Sequence, residues 1–146
     1  MPVPPAAPLR VHVLIDSLTW GGAESLLADL AVGAPAGGIE LSVGYLQDVD
    51  DSPMAPRLRA RGIEPGLVGV RKLADVKSLR RVRRHLAAAR PDIVHTHLGA
   101  SDLLGTIAAR SLGLPAVSTI HLVLQRSGGP ARERVKERLM ALSRRR

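Results

Sequence analysis

At 146 residues, 45% hydrophobic and 23% charged, the chain has the size and balance of one soluble globular domain with a single sizeable core. The absence of Cys excludes disulfides, thiolate metal sites and a Cys nucleophile and fits a reducing cytoplasm, and with no Phe and only Trp20 and Tyr45 as large aromatics a base-stacking nucleic-acid platform is disfavoured. The net charge of +8 is concentrated in residues 71–90, net +7, and residues 126–146, net +6.

Residues 1–8 are rich in Pro and Ala and carry no Lys or Arg, which reads as a disordered leader and not as a signal peptide. Residues 10–16 (R-V-H-V-L-I-D) form a nearly continuous apolar, β-branched run, suited to a strand buried on both faces of a parallel sheet. Gly21 and Gly22 follow, then a helix over 23–32 with Leu26, Leu27 and Leu30 on one face, broken by Gly33, Pro35, Gly37 and Gly38. A second strand is predicted over 40–46, an acidic loop over 48–52, a short helix over 53–61 and a weaker third strand near 66–70.

The helix over 75–90 has the clearest pattern, with Val76, Leu79, Val82, Leu86 and Ala89 as an apolar stripe. Lys77, Arg80, Arg81, Arg83, Arg84 and His85 lie off that stripe. Pro91 stops the helix and residues 92–96 form a fourth strand. A helix over 103–112 follows, capped by Ser101 or Asp102 at its start and by Gly113 at its end. A fifth strand spans 116–122, a loop 127–130 and a final basic helix 131–143. Strands alternating with helices of ten residues or more imply right-handed crossovers and a parallel, doubly wound α/β sheet. The chain closes on three arginines where a further strand is expected, so the fold reads as incomplete.

Ligands of open parallel sheets bind beyond the carboxyl ends of the strands. Three places there carry distinctive chemistry: Gly21-Gly22-Ala23-Glu24, His95-Thr96-His97 and His121. The glycine pair before a helix suits a phosphate or diphosphate, since backbone N–H groups can approach an anion at the helix N-terminus; a tight turn without ligand is the alternative. Neither G-x-G-x-x-G nor a Walker loop is present. His95 and His97, two apart on one strand, share a side, but no carboxylate motif joins the histidines and no metal site is expected. His95 is expected to be buried and bonded to backbone, while His97 and His121, nearer the strand tips, are expected to meet a ligand. The basic helix face reads first as solvated, then as a surface for anionic lipid head groups, and last as a nucleic-acid surface.

The opening L-R-V-H-V-L-I-D-S-L-T-W-G-G-A-E-S-L-L-A-D-L-A resembles the start of the N-terminal domain of family 4 retaining glycosyltransferases, which have the two-domain GT-B architecture. Residues 90–122 resemble that family's "P-D-h-h-H-x-H", its following helix and its "G-h-P-h-h-x-T-h-H" strand, where h is apolar. The resemblance covers residues 9–143 and makes 9–146 the family's Rossmann-like N-terminal half, truncated, with the C-terminal donor domain absent. It implies that Gly21 and Gly22 lie beside the donor's diphosphate and that His121 reaches the transferred sugar. His97 and the turn at Gly99 to Ser101 would line the acceptor cleft, with Trp20 and Glu24 at its edge. The implied reaction moves a sugar from a nucleotide-sugar donor, with retention, to a sugar, lipid-linked or small-molecule acceptor, without metal or cofactor. It implies a cytoplasmic protein, peripheral at an anionic inner membrane face through Arg80, Arg81, Arg83 and Arg84. Without the donor domain, which a separate chain could supply, this half is expected to be inactive. The alternative is a non-enzymatic Rossmann-like module for a phosphate ligand or a partner protein, and a second is half of a sugar-nucleotide epimerase.

Overall fold

A computed structural model of the chain describes residues 7–49, 52–71 and 75–121. It contains β1 (Leu9–Ile15), α1 (Gly22–Gly33), a 3₁₀ turn (Pro35–Gly37), β2 (Ile39–Tyr45), α2 (Met54–Arg59), β3 (Gly66–Leu67), α3 (Val76–Ala89), β4 (Ile93–His97), α4 (Gly99–Ser111) and β5 (Ala116–Thr119). The five strands form one sheet in the order β3-β2-β1-β4-β5, and every pairing is parallel. That order turns back on itself between β1 and β4, the switch point at which a doubly wound sheet leaves a crevice.

Strand alternation divides the core in two. Val13, Ile15, Val43 and Tyr45 pack with Ala23, Leu27 and Ala31 of α1 and Met54, Ala55 and Leu58 of α2. Leu14 and Val94 pack on the opposite face with Val82 and Leu86 of α3 and Leu104, Ala108 and Ala109 of α4. A fully buried Leu such as Leu14, Leu27 or Leu86 contributes about 1.5–3 kcal/mol by its removal from water.

Four expectations need correction. The third strand is two residues long instead of five, because Gly69 at φ +75° interrupts the extended backbone, although Val68 N–H and Val70 N–H still donate to Tyr45 and Leu46 carbonyls at 2.9 and 2.7 Å. In α3, Val76 is 64% exposed and Ser78 is buried in its place, because at 3.6 residues per turn Ser78 lies about 40° round the helix from Val82 and Val76 about 120°. His85, placed off the apolar stripe, packs against His12 of β1. The fourth helix starts at Gly99, so Ser101 and Asp102 lie inside it and do not cap it. The first six residues of the leader, the loop 127–130 and the final basic helix 131–143 lie outside the described residues, as does Leu122.

Candidate functional site at the β1–β4 switch point

The chain leaves β1 at Asp16 and reaches α1 through Gly21 and Gly22. Gly21 is the extended residue before the helix, and a side chain there would run into the Glu24 carboxylate. Glu24 is 6% exposed and accepts a hydrogen bond from the Thr19 hydroxyl at 3.3 Å. Gly22 opens on free space: a methyl group added there would meet nothing within 4 Å. Trp20, before the glycines, is 66% exposed, and the Arg57 guanidinium of α2 lies 4.8 Å from its ring centre. That contact is worth about 0.5–1 kcal/mol at an exposed site.

Across the switch point, β4 ends at His97 and the chain turns into α4 through Leu98. Leu98 adopts φ +74°, ψ 175°, a region nearly confined to glycine that costs of order 1–3 kcal/mol for other residues. The turn is held from β1: the Asp16 carboxylate accepts the Ala100 N–H at 3.3 Å and the Ser101 N–H at 2.6 Å. A carboxylate at this place satisfies orphan donors and complements the helix dipole. Ser101 is fully buried and its hydroxyl donates to the His97 carbonyl. Asp102, also buried, accepts the Thr96 hydroxyl at 3.0 Å.

His97 is 1% exposed, and its Nδ1 lies 2.7 Å from Nε2 of His121, which follows β5. The ring centres are 5.0 Å apart and the planes differ by 24°, so the two rings lie end to end and nearly coplanar. On its other side His97 meets the His95 ring at 4.1 Å. His95 Nε2 lies 2.8 Å from the Thr119 hydroxyl, a side-chain partner in place of the backbone expected from the sequence. Burial lowers the His97 pKa to about 4, and burial also lowers that of His95, so both rings are neutral near pH 7. Among the described residues no group of three or more His, Cys, Asp or Glu side chains converges as a metal cage.

The structure thus gathers Gly21, Gly22, Glu24, His97, Ser101 and His121 at the carboxyl ends of β1, β4 and β5. Of the residues assigned to the acceptor cleft, Trp20 is open to solvent while Glu24, His97 and Ser101 lie beneath the surface. The sequence pattern does not reveal Asp16 as the cap or Leu98 as a strained residue. Asp16 ends the first apolar run, and that position is its one local signal.

The basic residues gather elsewhere. Lys77, Arg80, Arg81 and Arg84 line a groove of about 440 Å³ with Val68, between α3 and the β3 edge. Arg81 is anchored there by donating to the Gly69 carbonyl at 2.7 Å. Arg83 is exposed but is not among the lining residues. Among the described residues, Lys77, Arg80 and Arg84 have no carboxylate partner. No helix among the described residues is long and apolar enough to cross a membrane.

No curated protein sequence matches the chain. Solved structures do. MurG of Acinetobacter baumannii aligns over 90% of this chain with a TM-score of 0.64 at 18% identity. HepE of Anabaena, in complex with UDP, aligns over 90% with a TM-score of 0.69 at 19% identity. UDP-GlcNAc 2-epimerase from Neisseria meningitidis, bound to UDP-GlcNAc, aligns over 92% with a TM-score of 0.65 at 14% identity. The chain spans 39%, 35% and 39% of those three chains. The likeness is one of fold, the Rossmann-like N-terminal half of the GT-B architecture. Residues 20–146 match the family model described as Glycosyltransferase Family 4, and the chain belongs to that family.

Proposed function

We propose that this chain is the acceptor-side half of a retaining glycosyltransferase, which binds an acceptor and part of a nucleotide-sugar donor. The observation that carries the reading is the placement of the glycine loop at the start of α1 and of the His97–His121 pair at the carboxyl ends of the same parallel sheet. The N-terminus of α1 offers N–H groups and partial positive charge to a diphosphate. Glu24 already places a carboxylate against Gly21, so the phosphate approaches on the open side, at Gly22. His121 contacts the transferred sugar. Trp20 offers the acceptor an exposed ring, and Glu24, His97 and Ser101 shape the cleft from below.

The departing diphosphate needs more charge stabilisation than one glycine loop supplies, and a second, donor-binding domain provides it. This half alone is therefore inactive. In the cell it works in the cytoplasm at an anionic membrane face, held by the groove of Lys77, Arg80, Arg81 and Arg84, with Arg83 adding charge beside it. Each basic residue near such a surface is worth about 1 kcal/mol.

Calorimetric titration with UDP and a panel of nucleotide sugars tests the reading. The expected result is binding that Gly22→Val abolishes, with no nucleotide release when acceptors are added. No binding at millimolar nucleotide would sink the donor assignment, and turnover at about 1 per second or more would sink the inactivity of the half. Flotation with anionic and neutral vesicles tests the membrane assignment: binding to both alike, or to neither, refutes it.

A further inference from the structure

We infer that His97 is a positioning residue that fixes the tautomer and ring orientation of His121, so that His121 presents Nδ1–H to its ligand. The inference rests on the reading of His121 as the residue at the transferred sugar and goes on to state how that residue is set. His97 lies in β4 in register with Ile15 of β1 and Thr119 of β5, so neighbouring strands fix its backbone on both sides. Its ring is held between two other imidazoles, His95 at 4.1 Å and His121 at 5.0 Å, and its carbonyl receives the buried Ser101 hydroxyl.

The 2.7 Å contact between His97 Nδ1 and His121 Nε2 holds one proton, donated by one ring and accepted by the other. His97 stays neutral because it is buried, so it carries one N–H, on Nδ1 or on Nε2. Its Nε2 is buried and has no hydrogen-bond partner among the described residues. A proton on Nε2 would leave a buried donor orphaned, the rarer and costlier arrangement. A proton on Nδ1 is spent in the hydrogen bond and leaves only a lone pair without a partner. His97 therefore donates and His121 Nε2 accepts. An accepting Nε2 carries no proton, so the His121 proton sits on Nδ1, which is the nitrogen left for a ligand oxygen. A second imidazole here does what second-sphere partners do for metal-bound histidines: the bond made by one nitrogen decides the chemistry of the other.

Ring-¹⁵N-labelled histidine in the full chain reads this directly by long-range ¹H–¹⁵N correlation at pH 7.5. The expected spectrum shows His121 as the Nδ1–H tautomer and a coupling across the hydrogen bond between His97 Nδ1 and His121 Nε2. In His97→Phe, which keeps a ring without nitrogens, the coupling disappears and His121 exchanges between tautomers. The native chain suffices if that variant does not fold: Nε2–H on His121, or no coupling between the rings, overturns the inference. An unchanged His121 tautomer in a folded His97→Phe also overturns it. Addition of UDP-GlcNAc separates the two readings. A shift of the His121 Nδ1–H signal is expected, and its absence with the coupling intact overturns the sugar-side role of His121 while the pairing stands.

Discussion

Gly44 of β2 has two imidazoles against it. A methyl group there would run into His85 Nε2 and meet His12 Nε2 at 2.8 Å, and one at Gly66 of β3 would meet His85 Cε1 at 2.8 Å. The glycines make room for a histidine pair whose Nε2 atoms are 3.1 Å apart, with His12 Nδ1 a further 2.8 Å from the Ser42 hydroxyl. Neither ring can retreat, because His12 is 2% exposed and tied to Ser42, and His85 is hemmed in by β2 and β3. Gly44→Ala is expected to destabilise the fold by about 1–3 kcal/mol through overpacking, read as a lower urea midpoint at unchanged m. At Gly21 the obstacle is a single carboxylate end, which can swing aside, so Gly21→Ala is expected to cost less than Gly44→Ala in the same assay. Equal costs would show that the Glu24 carboxylate is as firmly fixed as the histidine rings.

At the scale of elements, the local patterns that make strands and helices are in the sequence and the contacts between distant elements are not. The run 10–16 has the continuous apolar character of a strand covered on both faces, and β1 is covered by α1 on one side and α4 on the other. Val82 and Leu86, four apart, mark the buried side of α3, whereas Val76, at the rim of the stripe, is exposed. Local pattern places the start of α4 too late because its cap is 85 residues away from Ser101 in sequence, on the end of β1. The site divides in the same way. Gly21 and Gly22 announce themselves as a pair, but the bond between His97 and His121 exists only because β5 lies beside β4. Asp16→Ala is expected to cost about 1–2 kcal/mol, since it removes both a cap and a charge that complements the helix. Hydrogen exchange should speed selectively at Ala100 and Ser101. Unchanged protection of those two amides would mean that α4 does not depend on Asp16.

Across the whole molecule, the dominant electrostatic feature of the interior is histidine kept neutral. Burial lowers the pKa of His12 to about 3, helped by the neighbouring His85, and that of His97 to about 4, helped by His95 and His121; His85 and His95 are lowered as well. In the unfolded chain these groups titrate near their ordinary value of 6.5. Below that pH the unfolded state binds more protons than the folded state, so stability is greatest above it and falls as the solution is acidified toward the folded values. His12, almost fully buried, alone removes about 1.4 kcal/mol per pH unit over most of that window. Asp92 does not interfere, because its hydrogen bonds from Arg10 hold it at about 2 and its ordinary value is 3.8, so its contribution is lost only in stronger acid. Unfolding free energies from urea titrations at pH 7.5, 6.0, 5.0 and 4.5 therefore isolate the histidines. The expected course is a steady loss of stability through this series. His12→Gln, which can still bond Ser42 but does not titrate, should be less stable at pH 7.5 and should show a slope smaller by about one proton. A native slope of zero between pH 6.0 and 4.5 would mean that the interior admits charged imidazole after all, and that the His12–His85 contact is not the neutral pair its geometry describes.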